Sequence, residues 1–201
     1  MVRVEPRAEQ RAQDVREAGL TLFAERGYHG TTMKDIAGHL QLRAPSLYNH
    51  VSSKQEILRE IMLSTGRQLL AEFRDATRGE DDEVEALRQA IAVFVAHHAH
   101  HPREALIGNR EVASLDEPAR SELLALRREH EHSIRALIEK ARAHRRFVVE
   151  HAHLTSFAML EMGVSVARWF RRDGPLSAEE IGQHYGDLAV RMCSPTEGPA
   201  T

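Results

Sequence analysis

Cysteine is almost missing from these 201 residues, and tryptophan and aromatics in general are scarce: one Cys, one Trp and 5% Phe, Trp and Tyr together. A lone Cys193 cannot form an intrachain disulfide, which excludes a small bridge-stapled scaffold and points to a cytoplasmic setting. No run of about 18 apolar residues is present for a membrane span, and the opening MVRVEPRAEQ lacks the apolar stretch of a signal peptide. Membrane attachment is therefore not expected. Strand-forming residues do not cluster, which argues against a sheet. A Gly-rich phosphate loop, a catalytic triad and a nucleophile elbow are all absent, so neither an enzyme nor a cofactor is expected.

What is present is a globular balance, with 42% hydrophobic and 28% charged residues. The apolar residues recur at helical spacing, which predicts an all-α chain of about nine helices. The net charge of −3 hides an asymmetry. Through Gln55 there are eight Lys/Arg against six Asp/Glu, or +2; the remainder carries 19 against 24, or −5. A modestly basic head on an acidic body suits a protein that presents one end to phosphates.

Turn and cap signals divide the chain. A first helix is expected from about Glu9 to Glu25, with Val15, Ala18, Leu22 and Phe23 as its apolar stripe and Gly27 as its end. Thr32 and Asp35 form a capping box that opens a short helix with Ile36, Ala37 and Leu40 inward. A tight turn leads to a second short helix, Arg43 to His50, in which Pro45 falls in the tolerant first turn. Ser53 with Glu56 starts a long helix to about Thr77. Further helices are read over 82–100, 102–114, 117–144, 151–172 and 178–193, with punctuation at Gly79, Pro102, Pro118 and Asp173-Gly174-Pro175. Ser177 and Glu180 cap the last of them, with Leu176 placed to staple Ile181. The tail 195–201 is expected to be disordered.

Two short helices with a tight turn, between longer ones, fit a helix-turn-helix. With Leu47 pointing inward, the 100° step per residue turns Pro45 and Asn49 outward and puts Ser46 and Tyr48 on the flanks. A small outward face at Pro45 and Ser46 lets the helix axis approach the base edges of a major groove.

Residues 22–58, LFAERGYHGTTMKDIAGHLQLRAPSLYNHVSSKQEIL, resemble the TetR family of transcriptional regulators. The resemblance rests on an aromatic before a Gly turn, Thr-Thr, a buried Ile-Ala, Ser-Leu-Tyr-x-His-Val and Ser-Lys. It implies a three-helix DNA-binding domain over 1–55 and a ligand-binding and dimerisation domain over 56–194. By the same resemblance Thr32, Tyr48, His50 and Lys54 hold DNA phosphates, while Lys34, Ala44, Pro45 and Ser46, with Arg43 beside them, approach bases. Ala44 departs from the polar residue often found at its position, so direct readout there is thin and partly apolar. The partners implied are a palindromic operator in double-stranded DNA, a second copy of the chain and a small-molecule effector.

The C-terminal half is more loosely similar to a subgroup associated with acyl-CoA or lipid-derived effectors, on NREVASL (109–115), LRREHEHSIRALI (126–138) and VARWFRRDGPLSAEEIGQHYGDLAVR (166–191). Arg168, Arg171 and Arg172 beside Trp169 suit an anionic ligand bearing an adenine. Phe73, Phe94, Phe157, Met159 and Met162 are candidates to line an apolar channel, although such residues at helical spacing also make ordinary core. The last two long helices are the expected dimer surface: Leu154, Phe157, Ile181, Tyr185, Leu188 and Met192 supply area, and the small Ala158, Gly163, Ser165 and Ala167 allow close approach.

Histidine is abundant, with 13. His97 and His101, four apart, can share a helix face and chelate a metal. Two Glu-x-x-His units, Glu129 with His132 and Glu150 with His153, have the spacing used in di-metal bundles. A helical metal-binding protein or di-metal enzyme is thus the rival reading. The preferred one is a His tract at an exposed helix end with no metal bound.

Overall fold

The computed structural model describes residues 5–194, with side chains from Gln10 onward. The expectation for the tail 195–201 lies outside the described residues. Among the described residues the chain is all-helical: α1 (Glu5–Arg26), α2 (Met33–His39), α3 (Ala44–Leu47), α4 (Lys54–Ala76), α5 (Glu83–His100), α6 (Pro102–Arg110), a 3-10 turn (Val112–Ser114), α7 (Ala119–Ala143), α8 (Ala152–Trp169) and α9 (Ala178–Cys193).

The starts of these helices follow from their caps. Thr32 and Ser177 each accept from the backbone N–H three residues on, and the carboxylates of Asp35 and Glu180 return to the cap N–H, completing both boxes. At α4 the box is displaced. Ser53 Oγ accepts from Glu56 N at 3.2 Å, but the Glu56 carboxylate reaches one residue further back, to Ser52 N at 2.7 Å. Gly27 ends α1 at φ +77°, a conformation open to glycine at no steric cost. The second short helix is shorter than its periodicity suggests. Only Ala44–Leu47 is helical, and Tyr48, Asn49 and His50 continue as turns.

Two compact units result. The first holds the described residues through Gly66 together with Arg103–Leu124; the second holds Arg67–Pro102 and the described residues from Ala125 on. Phe23, Leu20, Ile36, Leu47, Leu58 and Ile61 are fully buried in the first unit. Arg103 fastens α6 to α1 there through Glu17 and Thr21.

In the second unit α5 is the central helix, packed along α9 and against α8, while α8 and α9 scarcely meet. Backbone proximity explains the arrangement. A Cβ on Gly182 would lie 2.4 Å from Ala92 O, and one on Gly186 would lie 2.5 Å from Arg88 O, so α9 rests on the carbonyls of α5. A Cβ on Gly163 would lie 2.7 Å from the Phe94 ring, so α8 accommodates that ring on the other side. The two helices thus dock separately on α5, and Gly163, expected to allow close approach at a dimer surface, mediates close approach within the chain.

Candidate nucleic-acid interface

Placement of the helix-turn-helix begins with what it buries. Ile36 and Ala37 of α2 and Leu47 of α3 have at most 2% exposure and fix both helices on the bundle. Between them Gln41 takes a left-handed φ of +56°, and Leu42 N donates back to Ala37 O at 2.8 Å, the hydrogen bond of a Schellman turn. With Leu47 inward, Arg43, Pro45, Tyr48, Asn49 and His50 are exposed, and Ala44 and Ser46 are half-buried. Lys34 is exposed on α2. Tyr48 is 53% exposed, an aromatic ring lying mostly in solvent. Burial alone does not explain such a ring.

Of the expected phosphate contacts, the exposed Thr32 also caps α2, and Lys54 turns inward. Thr32 Oγ donates to Asp35 at 2.5 Å and accepts from Asp35 N at 3.2 Å, which holds the Asp35 carboxyl below its usual range. Lys54 Nζ donates to Tyr28 O at 2.7 Å and Thr31 O at 2.8 Å and sits 4.1 Å from the centre of the Tyr28 ring. Burial lowers the pKa of this ammonium, and the nearby Glu111 carboxylate opposes that shift. Two of its three N–H donors thus clamp the α1–α2 connection. This internal role corrects the picture of a lysine placed only to meet DNA.

The same connection is held by residues that sequence reasoning passed over. Glu111, 7% exposed, accepts from Tyr28 N at 3.3 Å and from Ser114 Oγ at 2.9 Å. Ser114 also meets His29 at 3.1 Å, and Gln55 Nε2 donates to Ser114 O at 2.5 Å. The buried Thr31 hydroxyl donates to Gly27 O at 2.9 Å. The only available signals were a lysine opposing a helix dipole at Lys54 and an acidic residue just after α6.

The C-terminal candidates fall into two groups. Phe73, Phe94 and Met159 belong to the buried core of the second unit, and Met162 is half-buried. Arg168, Trp169, Arg171 and Arg172 are exposed. Trp169 and Arg171 line an apolar hollow of about 290 Å³ with Phe170, Pro175, Leu176 and Tyr185. Leu154, Phe157, Leu188 and Met192 present apolar area to solvent, 43–62% exposed. Tyr185 is half-buried, and Ile181 belongs to the core of its own chain. Ile181 is thus withdrawn from the outward apolar set.

The histidine-rich segment does not form an exposed end. His97 and His98 are buried, and only His100 of the helical histidines there is exposed. His97 donates to Glu72 rather than sharing a metal face with His101, whose ring stacks at 4.5 Å. Glu129 pairs with Arg74, Glu150 is exposed beside His151, and His132 and His153 both approach Glu131. Among the described residues no group of three or more His, Cys, Asp or Glu is arranged to hold a metal. The di-metal reading therefore has no support.

A buried two-helix turn with an exposed, small-faced second helix, in a chain with a separate helical unit, defines a helix-turn-helix regulator. Residues 15–61 match the family described as "Bacterial regulatory proteins, tetR family", and residues 80–193 match "Tetracyclin repressor-like, C-terminal domain". The chain belongs to the TetR family. It is 28% identical over 190 residues to the HTH-type transcriptional repressor KstR2 of Mycobacterium tuberculosis, covering 92% of this chain and 94% of that one. The TetR-family regulator PfmR of Thermus thermophilus superposes with a TM-score of 0.79 at 33% identity, covering 88% and 97% of the two chains. AibR, solved with isovaleryl coenzyme A and operator DNA, shares the fold at a TM-score of 0.75 and 23% identity, covering 92% and 98%.

Proposed function

We propose that this protein is a dimeric repressor that binds a palindromic operator and is released by a small-molecule effector. The reading head is the 1–55 segment, followed by a ligand-binding and dimerisation domain over 56–194. The carrying observation is the solvent-exposed face of α3 and its flank: Pro45 beside the half-buried Ser46 and Ala44, with Arg43, Tyr48 and His50 around them. In this reading Tyr48 and His50 hold phosphates, joined by Thr32, while Lys34, Arg43, Ala44, Pro45 and Ser46 approach bases. Lys54 supports them by fixing the backbone at Tyr28 and Thr31.

Dimerisation is assigned to the apolar surface of α8 and α9 through Leu154, Phe157, Leu188 and Met192, with Tyr185 at its edge. A twofold axis through this surface would place two reading helices in successive major grooves about 34–36 Å apart. The effector is assigned to the second unit. Exposed Arg168, Arg171 and Arg172 around Trp169 suit a phosphate-bearing aromatic group, while Phe73, Phe94, Met159 and Met162 supply an apolar interior for an acyl or lipid-derived chain. α4 runs unbroken from Lys54 to Ala76 and is shared by the two units, which makes it the route by which ligand would reposition the head. Relief of repression by about 100-fold requires the effector to favour the released state by about 2.7 kcal/mol.

Selection from a random duplex pool with the full-length protein tests the DNA reading. An inverted repeat is expected; no enrichment over the input pool would refute it. Native mass spectrometry of protein purified from its own cells tests the effector reading, with a retained coenzyme A thioester or lipid expected.

A further inference from the structure

Among the buried histidines of α5, His97 holds a ring nitrogen that packing leaves without a hydrogen-bond partner. His97 has a side chain only 2% exposed, and its Nδ1 lies 2.9 Å from Glu72 Oε2. Burial raises the Glu72 pKa, but hydrogen bonds from His97 and Gln68 outweigh it and keep the carboxyl ionised. An ionised carboxylate only accepts, so the His97 proton is on Nδ1. The other nitrogen, Nε2, is buried and has no hydrogen-bond partner. In the neutral ring it presents a lone pair.

Its surroundings are aromatic. His101, half-buried, stacks on the His97 ring at 4.5 Å, and His98 stands edge-on at 5.7 Å. Phe94 is 4.3 Å from His98 and 5.1 Å from His130, and Phe73 meets His130 at 5.7 Å. Burial holds the His98 and His130 rings neutral, each pushed down to about 4. An anion at this place would face Glu72 across a single imidazole, with the neutral His98 and His130 rings nearby. A buried acceptor without a donor costs more than the average hydrogen bond is worth, so a donor supplied by a ligand is strongly rewarded.

Resting on the ligand-gated reading above, we propose that His97 Nε2 accepts a hydrogen bond from the buried end of the effector, and that this end is an uncharged hydroxyl on an apolar frame. The negative groups of the effector, where it has them, belong at the exposed arginines and not here.

The test compares matched probes on the full-length protein by calorimetric titration: 1-decanol against methyl decyl ether and decanoate, and 2-naphthol against 2-methoxynaphthalene. At least one hydroxyl probe is expected to bind about tenfold more tightly than its ether, and 1-decanol more tightly than decanoate. That advantage disappears in His97→Phe, which keeps the ring packing. In wild-type protein labelled with ¹⁵N-histidine, the His97 Nε2 resonance shifts on adding the hydroxyl probe, a readout independent of how the variant folds. Equal binding of hydroxyl and ether, an advantage that survives His97→Phe, decanoate as the best ligand, no binding by any probe, or an unmoved resonance would each overturn the assignment. DNA selection by the same protein is scored separately. A failed probe test with an enriched operator removes only the His97 assignment, whereas failed selection removes the regulator reading itself.

Discussion

At the scale of single residues, exposure and internal hydrogen bonds separate side chains left open to solvent from those that hold the motif together. Tyr48 is mostly in solvent and Lys54 is clamped to two carbonyls, although both lie in the same short motif. Replacing Tyr48 with Ala is expected to weaken binding to all DNA sequences alike, by about tenfold for one hydrogen bond to an ionised group, without altering the dimer. Fluorescence anisotropy on specific and random duplexes checks this, and unchanged affinity would contradict the phosphate role. Glu111→Ala acts differently. It strips the buried Tyr28 N–H of its acceptor and is expected to destabilise the protein by about 1–3 kcal/mol, read from urea unfolding. Sequence alone could single out Tyr48 as a candidate, because its neighbours form a recognisable string. Glu111 was illegible because its partner Tyr28 N is 83 residues away and is a backbone group that carries no sequence signal.

At the scale of elements, local chemistry was readable and long-range docking was not. The boxes at Thr32–Asp35 and Ser177–Glu180 formed as their spacing required, since a cap depends on four consecutive residues. The partner of α8 and α9 could not be read that way. Small residues announce close approach but not to which helix, and Gly163, Gly182 and Gly186 all turned out to serve α5. Two alanine substitutions test this with opposite signs. Gly186→Ala drives a methyl against Arg88 O and is expected to cost at least about 1–3 kcal/mol. Gly38→Ala, with nothing within 4 Å of the new Cβ, is expected to gain up to about 1 kcal/mol of helix propensity. Thermal unfolding of both proteins distinguishes a packed glycine from a permissive one. The short α3 has a similar lesson: periodicity through His50 looked helical, but the chain turns after Leu47 once that side chain is anchored.

At the scale of the whole molecule, the buried histidines set how stability responds to acid. His98 and His130 are pushed by burial from the ordinary 6.5 to about 4. The unfolded chain therefore binds these two protons below about 6.5, while the folded chain resists them until about 4. Their contribution is complete above pH 6.5 and is lost as the pH falls toward 4, by up to about 3 kcal/mol for each ring. Urea midpoints from pH 7.5 to 4.5 should fall steeply, and the slope should flatten in His98→Phe. The outward apolar residues of α8 and α9 give a second molecular prediction. Phe157→Glu with Leu188→Glu is expected to yield a folded monomer by light scattering and to reduce operator affinity by at least about tenfold, since a single head reads only one half-site. The most direct check of the central claim places an iron-chelate cleavage reagent on Ser46→Cys; the native Cys193 is buried and does not compete for the label. With selected operator DNA, two cleavage centres are expected, in major grooves one helical turn or a whole multiple apart. Retarded DNA that is never cut from position 46 would contradict the assignment of α3 as the reading helix.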